Sequence, residues 1–358
     1  MSKLNKLFPH TQNPVIISAP MLGTSNGALA AEVSKAGGLG IIPGGYDFSS
    51  SSQLTALSTE LYTARTLLSP YLPSASAAPT IPVGVGFILG HPSLSTHFLD
   101  AALPVLRAHR PAAVWLFAPR QEDVESGVIR RVVAALRAEG FIVLFQVGTV
   151  ASARRAVEDG ADVLIVQGVD AGGHQFAWGG AGVVSLVPEV VDMLEGLEGG
   201  RGKEVAVVAA GGLVDGRGVA AAMALGAEGV VMGTRFIAAE EAWSAGWLRK
   251  IILETADGGP STVKTTVLDD IQGTPIWPSV YDGRAVIGKS WQDHAAGMSL
   301  DENIRLYKEA AEAGDVSRKI IWAGTGVGLV KEVRPAGDIV KEAREAAIQT
   351  LRKLQSGI

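Results

Sequence analysis

The sequence contains no cysteine. That excludes disulfides, thiolate metal sites and a cysteine nucleophile, and it fits a reducing compartment, so a cytoplasmic location is expected. Positive charge is also in short supply. The formal net charge is −5, which leaves no basic footprint for nucleic acid. No apolar run approaches the roughly 20 residues of a membrane span, because Gly, Pro or a charge interrupts each one. The first residues, Met1-Ser-Lys-Leu-Asn-Lys-Leu-Phe-Pro9, are too few and too polar to read as a secretory signal. No set of histidines and carboxylates has metal-ligand spacing, so no metal is expected.

What the chain has in quantity is glycine, 44 residues in 358, much of it where apolar runs end. Short β-branched runs alternate with amphipathic stretches. The pattern predicts strands at 14–19, 40–42, 81–87, 113–117, 141–147, 163–166, 205–209 and 229–232. Helical patterns lie between them, at 25–36, at 53–68, from Val124 to a stop at Gly140, through Ala156 and at 218–225. This alternation with short loops predicts an α/β protein, a closed (β/α)8 TIM barrel of parallel strands.

The stretch 256–295 breaks that rhythm. It holds Gly258-Gly259-Pro260, Pro275, Trp277, Pro278, Tyr281 and Trp291. It reads as a cap, helical in character, inserted after strand eight over the barrel mouth, with a plain surface loop as the alternative. The domain reading is a barrel over 1–255, the inserted cap over 256–295, and a helical segment over 296–358 that completes the barrel domain. Its closing helix is expected at 339–354, with Asp338 as its cap. The glycines of Ala323-Gly-Thr-Gly-Val-Gly328 match a dinucleotide fingerprint only weakly, because they do not open a βαβ unit.

Chemistry concentrates at the strand ends. The sixth strand runs into Gln167-Gly-Val-Asp-Ala-Gly-Gly-His174. His174 therefore lies just past a carboxyl strand end, on the face of an α/β barrel that carries chemistry. Gly172 and Gly173 remove side-chain bulk there, so a flat ligand has room to approach. The alternative is a histidine that caps a turn. Gln167, an amide in an apolar run, either bonds a neighbouring strand end or meets a ligand edge. Asp170 either orients the imidazole or caps the turn, and the cap is favoured. Strands seven and eight end in Gly211-Gly212 and Gly233-Thr234, the usual position of a barrel phosphate site. Arg235 faces the phosphate or solvent. Met21, after Pro20, packs in the core or lies against a flat ring. His91 is placed to line the mouth. Together these residues point to a phosphorylated cofactor with one histidine aimed at its reactive part. Histidine is suited to moving a proton to or from carbon.

Six motifs carry a resemblance over nearly the whole chain: Ala19-Pro20-Met21, Gln167-Gly168, Asp170-Ala-Gly-Gly-His174, Ala209-Ala-Gly-Gly212, Val231-Met-Gly-Thr-Arg-Phe236 and Trp322-Ala-Gly-Thr-Gly326. With them the chain resembles the nitronate monooxygenases, also called 2-nitropropane dioxygenases. Tyr281-Asp-Gly-Arg-Ala285 resembles the fungal-type members. The resemblance implies an FMN-dependent barrel enzyme, with the cofactor on Met21, Gln167, Gly172, Gly173, Gly211, Gly212, Met232, Gly233 and Thr234, and His174 as catalytic base. It implies oxidation of nitronates or nitroalkanes by O2 to a carbonyl compound and nitrite, and it leaves a homodimer open. An FMN-dependent NAD(P)H:quinone or enoyl-thioester reductase on the same barrel is the alternative. The chain departs from the pattern twice. Gly84-Val-Gly-Phe87 offers no asparagine at the end of strand three, and Gln175, Phe176 and Trp178 bring bulk after the histidine, which would reshape the pocket.

Overall fold

The computed structural model describes residues 2–72, 80–274 and 276–357, so Pro275 of the expected cap lies outside it. Its strands are β1 (Val15–Ser18), β2 (Gly40–Gly45), β3 (Ile81–Ile88), β4 (Pro111–Phe117), β5 (Ile142–Val147), β6 (Val163–Gln167), β7 (Gly173–Phe176), β8 (Ala206–Ala210), β9 (Gly229–Met232), β10 (Thr262–Thr265) and β11 (Tyr281–Val286). An eight-stranded parallel sheet runs in the order β1-β9-β8-β6-β5-β4-β3-β2. Its two ends meet through a parallel bridge between Ile17 and Leu39. There Leu39 N donates to Ile16 O at 3.0 Å and Ser18 N to Leu39 O at 3.2 Å. The sheet is thus the expected TIM barrel, and closure removes its edges.

The strands are apolar throughout because both of their faces are covered. Ile17, Ile41, Trp115, Leu144, Ile165 and Val208 fill the interior. Their alternates Ile16, Ile42, Val114, Val143, Leu164 and Val207 pack under the helices. The inward positions of β3 are Gly84 and Gly86. A Cβ there would lie 2.6 Å from Ile41 Cδ1 and 2.6 Å from Pro20 Cγ, so larger neighbours occupy that space. Leu4 and Phe8, on and just after the helix Lys3–Leu7, join the inner cluster at the end opposite the strand carboxyl termini.

The region after β9 is less helical than expected. Strands β10 and β11 join β7 in a three-stranded antiparallel sheet in the order β10-β11-β7. Short helices Val267–Gln272 and Lys289–Ala295 flank it. The last helix runs Ala336–Ser356 with Pro335 at its N-cap, so Asp338 sits inside the first turn rather than capping it. An acidic side chain there still complements the helix dipole.

Arg344 fastens that helix to the first βα unit. Its guanidinium donates to Ala36 O at 3.0 Å, Gly37 O at 2.7 Å and Pro14 O at 3.4 Å. Burial pulls the guanidinium below its usual range, against the pull of Glu345. Arg344→Ala is expected to cost about 2–4 kcal/mol, because buried carbonyls lose charge-assisted partners. Urea unfolding should show a lower midpoint with an unchanged m-value. His10 provides a pH test. Its Nε2 lies 3.0 Å from Gly38 O. Burial pushes its pKa down from 6.5 to about 4, against the Gly38 carbonyl. The unfolded chain therefore binds a proton that the folded chain refuses. This contribution is complete above about pH 6.5 and is lost as pH falls toward 4. His10→Gln should flatten the pH dependence of stability in that window, as read by denaturation at each pH.

Candidate active site

The carboxyl strand ends open into a cavity of about 470 Å³, a size suited to a small-molecule or cofactor site. Met21, Gln167, Gly172, Gly173, His174, Gly211, Gly212, Gly233 and Thr234 all border it. The stretch after β9, termed the cap because it borders the cavity, supplies Asp269, Gln272, Thr274, Ile276 and Trp277, and the later chain adds Ile321 and Trp322.

His174 reaches the cavity because it lies on β7, opposite Gly283 of β11. Strand alternation sends its side chain one way and that of Gln175 the other. The imidazole Nε2 lies 2.8 Å from Asp269 Oδ1, and both side chains are about nine-tenths buried, 9% and 11% exposed. The Trp277 ring stacks on the imidazole with centroids 3.5 Å apart and planes 8° apart. Trp322 meets it at 4.7 Å with a 52° tilt. From the barrel side, Gln167 Nε2 donates to His174 O at 3.2 Å, while Gln167 Oε1 is buried without a partner.

The glycines serve distinct ends. Gly173, with φ +71°, borders the cavity and has nothing within 4 Å of an added Cβ, so the space beside it is open. Gly172 has a packing reason: a Cβ there would lie 2.4 Å from Ala323 C and Gly324 N. Gly211 and Gly212 adopt φ of +110° and +71°, which a side chain would strain. Thr234 Oγ1 accepts from Gly324 N at 3.0 Å and keeps its own proton to donate.

Several expected residues lie elsewhere. Met232 does not border the cavity. It is fully buried on the outer side of β9, under the helices, while its neighbour Val231 faces inward. The period of two along a strand decides this. Arg235 faces neither the cavity nor solvent. It is buried and donates to Glu332 O at 3.2 Å. Burial lowers its pKa, opposed by Glu342 and Glu332. Asp170 Oδ1 accepts from Thr325 Oγ1 at 3.1 Å, so it ties down the Trp322–Gly326 segment and leaves the imidazole to Asp269. His91 stands back from the cavity, bonded to Ser93 Oγ at 2.8 Å. Of the bulk after the histidine, Gln175 and Trp178 turn away, while Phe176 packs on Tyr281 with ring centroids 4.9 Å apart. Gln175 is buried and donates to Ala171 O at 2.7 Å, and Trp178 is 83% exposed.

The sequence reading missed Asp269 and Trp277, which no local pattern connects to His174. It also missed the pair on the cavity floor, where Trp115 Nε1 donates to Gln146 Oε1 at 3.0 Å. An amide inside an otherwise apolar strand was the available signal for Gln146. Two short pattern matches carry no chemistry here. Gly23-Thr-Ser-Asn-Gly27 has nucleophile-elbow spacing, but Ser25 is fully buried, donates to Ala19 O at 2.9 Å and accepts from Met21 N. Gly283-Arg-Ala-Val-Ile-Gly-Lys-Ser290 has phosphate-loop spacing. Its first residues are paired in β11, Lys289 pairs with Asp293 and Ser290 donates to Arg318 O. Among the described residues, no cluster of three or more histidines and carboxylates is placed to hold a metal, and no helix is long and apolar enough to cross a membrane.

Comparison with known proteins bears on the family and the fold. A sequence model of the family described as nitronate monooxygenase matches residues 124–345. A nitronate monooxygenase of Neurospora crassa is 54% identical over 363 residues, covering 99% of this chain and 95% of that protein. Among solved structures, FabK from Thermotoga maritima aligns with a TM-score of 0.74 at 26% identity, covering 100% of this chain and 99% of that one. A nitroalkane oxidase from Streptomyces ansochromogenes aligns with a TM-score of 0.73 at 25% identity, covering 99% and 100%.

The Gly172 contact yields a direct check. Gly172→Ala is expected to cost about 1–3 kcal/mol through overpacking against Ala323 and Gly324. A lowered midpoint in thermal or urea unfolding would show it.

Proposed function

This chain belongs to the nitronate monooxygenase family, and on that premise we propose that it is an FMN-dependent oxidoreductase acting on alkyl nitronates and their parent nitroalkanes. In this reading O2 is consumed and a carbonyl compound and nitrite leave. The observation that carries it is the His174 imidazole, held at the cavity among carboxyl strand ends with open backbone.

The residues bordering the cavity fit a flavin mononucleotide. The buried, unpartnered Gln167 Oε1 is suited to accept from a ring N–H. Gly173 adds no side chain at the cavity border, and Met21 offers a flexible apolar wall. The backbones of Gly211, Gly212 and Gly233, with the Thr234 hydroxyl, suit the phosphate. When bound, the flavin supplies the one-electron exchange between a nitronate and O2.

The chain's own residues bind, orient and move a proton. For a neutral nitroalkane, His174 takes the α-proton while the C–H pair delocalises onto the nitro group, which gives the nitronate. A nitronate supplied as such needs no base. Trp277 and Trp322 cover the imidazole and keep bulk water from the carbanion-like anion.

The test begins with an absorbance spectrum, in which the purified protein should carry about one FMN per chain. His174→Asn should keep the flavin and lose neutral nitroethane turnover by about 10²-fold or more, while still oxidising preformed ethyl nitronate. Oxygen uptake and nitrite are the readouts. Full nitroethane turnover in that variant would remove His174 from the base role. Anaerobic bleaching by NADH with no response to nitronate would overturn the reaction itself in favour of a reductase.

A further inference from the structure

We propose that Asp269, carried by the cap, is the positioning residue of proton transfer: it holds His174 as the Nε2–H tautomer and leaves Nδ1 to take the substrate proton. The proposal rests on the reading of His174 as the base.

The argument starts from hydrogen-bond roles. A carboxylate only accepts, so the 2.8 Å contact requires Nε2 to carry the hydrogen and donate. A neutral imidazole with Nε2–H keeps its lone pair on Nδ1. The carboxylate is itself held. Thr274 Oγ1 donates to the same Oδ1 at 3.1 Å. The Asp269 carbonyl accepts from Gly273 N at 2.8 Å and Thr274 N at 3.1 Å, which folds the chain after helix Val267–Gln272 back over its own end. The imidazole cannot exchange its nitrogens by a ring flip, because the ring would have to turn through Trp277, stacked 3.5 Å away.

Other charges nearby do not compete for the ring. Lys264, Asp282 and Arg284 belong to the same small sheet, but Asp282 is paired across from Gln175 and Arg284 from Gly173, on the face away from His174. Lys264 is bound to Asp282 and Phe176 O, and Arg284 to Val169 O. Tyr281 has its phenol pushed up by burial and stays uncharged. Asp170 is spent on Thr325.

The step balances without a further reagent. The substrate C–H bond breaks, its electron pair stays on the substrate as the nitronate, and the proton forms an N–H bond at Nδ1. The imidazolium forms beside the Asp269 carboxylate, which takes no proton. Because Asp269 and Trp277 both come from the cap, the base is complete only when the cap lies on the barrel.

The experiment compares two substrates in the flavin-loaded enzyme. Preformed ethyl nitronate bypasses proton abstraction and nitroethane requires it. In Asp269→Asn, the ratio of kcat/KM for nitroethane to kcat/KM for ethyl nitronate should fall at least about tenfold, and Asp269→Glu should recover part of it. A ratio within about twofold of the native enzyme overturns the proposal, whether both rates fall together, as for a mere tether, or neither does. His174→Asn separates the two levels. If it keeps nitroethane turnover, the base reading fails. If it loses turnover while the Asp269→Asn ratio stays native, only the role of Asp269 fails.

Discussion

Strand β7 belongs to the barrel by its covalent position, directly after β6, and to the cap by its hydrogen bonds to β11. The register of that pairing, Gly283 opposite His174, is the constraint on which the site depends. A slip of one residue would send His174 to the outer face and bring Gln175 into the cavity. Two contacts pin it. Gln175 is held from the outer side by Ala171 O, and Gln167 grips His174 O from the barrel side. Glycine at position 283 is also required. A Cβ there would lie 2.3 Å from Trp322 Cζ3, so its absence lets the indole rise beside the imidazole.

From that register the rest of the site follows by contact. His174 meets Asp269, and Asp269 meets Thr274. Trp277 covers one face of the ring and Trp322 crosses it at a tilt. Below, the Trp115 indole N–H donates to Gln146 Oε1 on the cavity floor, so the indole has a partner inside an otherwise apolar barrel. The barrel thus supplies open backbone at its strand ends, and the cap supplies the carboxylate and the aromatic cover. Function divides the same way. In the proposed function, cofactor binding would draw on the cylinder, and proton transfer on the join between cylinder and cap.

Legibility followed burial. The eight barrel strands were readable because each is covered on both faces and so appears as a continuous apolar run that stops at glycine or proline. His174, Gln167 and the glycine pairs were readable because they punctuate those runs. Strand β7 was not. Its four residues, Gly-His-Gln-Phe, carry no strand signal of their own and become a strand only through a partner more than a hundred positions away. Met232 and Arg235 were misjudged for a simpler reason. They sit inside a motif whose neighbours face the cavity, but strand alternation and the turn after β9 send both away from it.

The sequence by itself determined the closed barrel, the end of it at which the cavity opens and the histidine that borders that cavity, because the periodicity of burial and the placement of glycine are local and written residue by residue. Only the tertiary structure decided which carboxylate meets the imidazole. Asp170 is four positions from His174 and turns to Thr325, while Asp269 is distant in the chain and closes to 2.8 Å. Side-chain direction, fixed by the β7–β11 register and by the fold of the cap, chose between them, and sequence separation carries no information about direction.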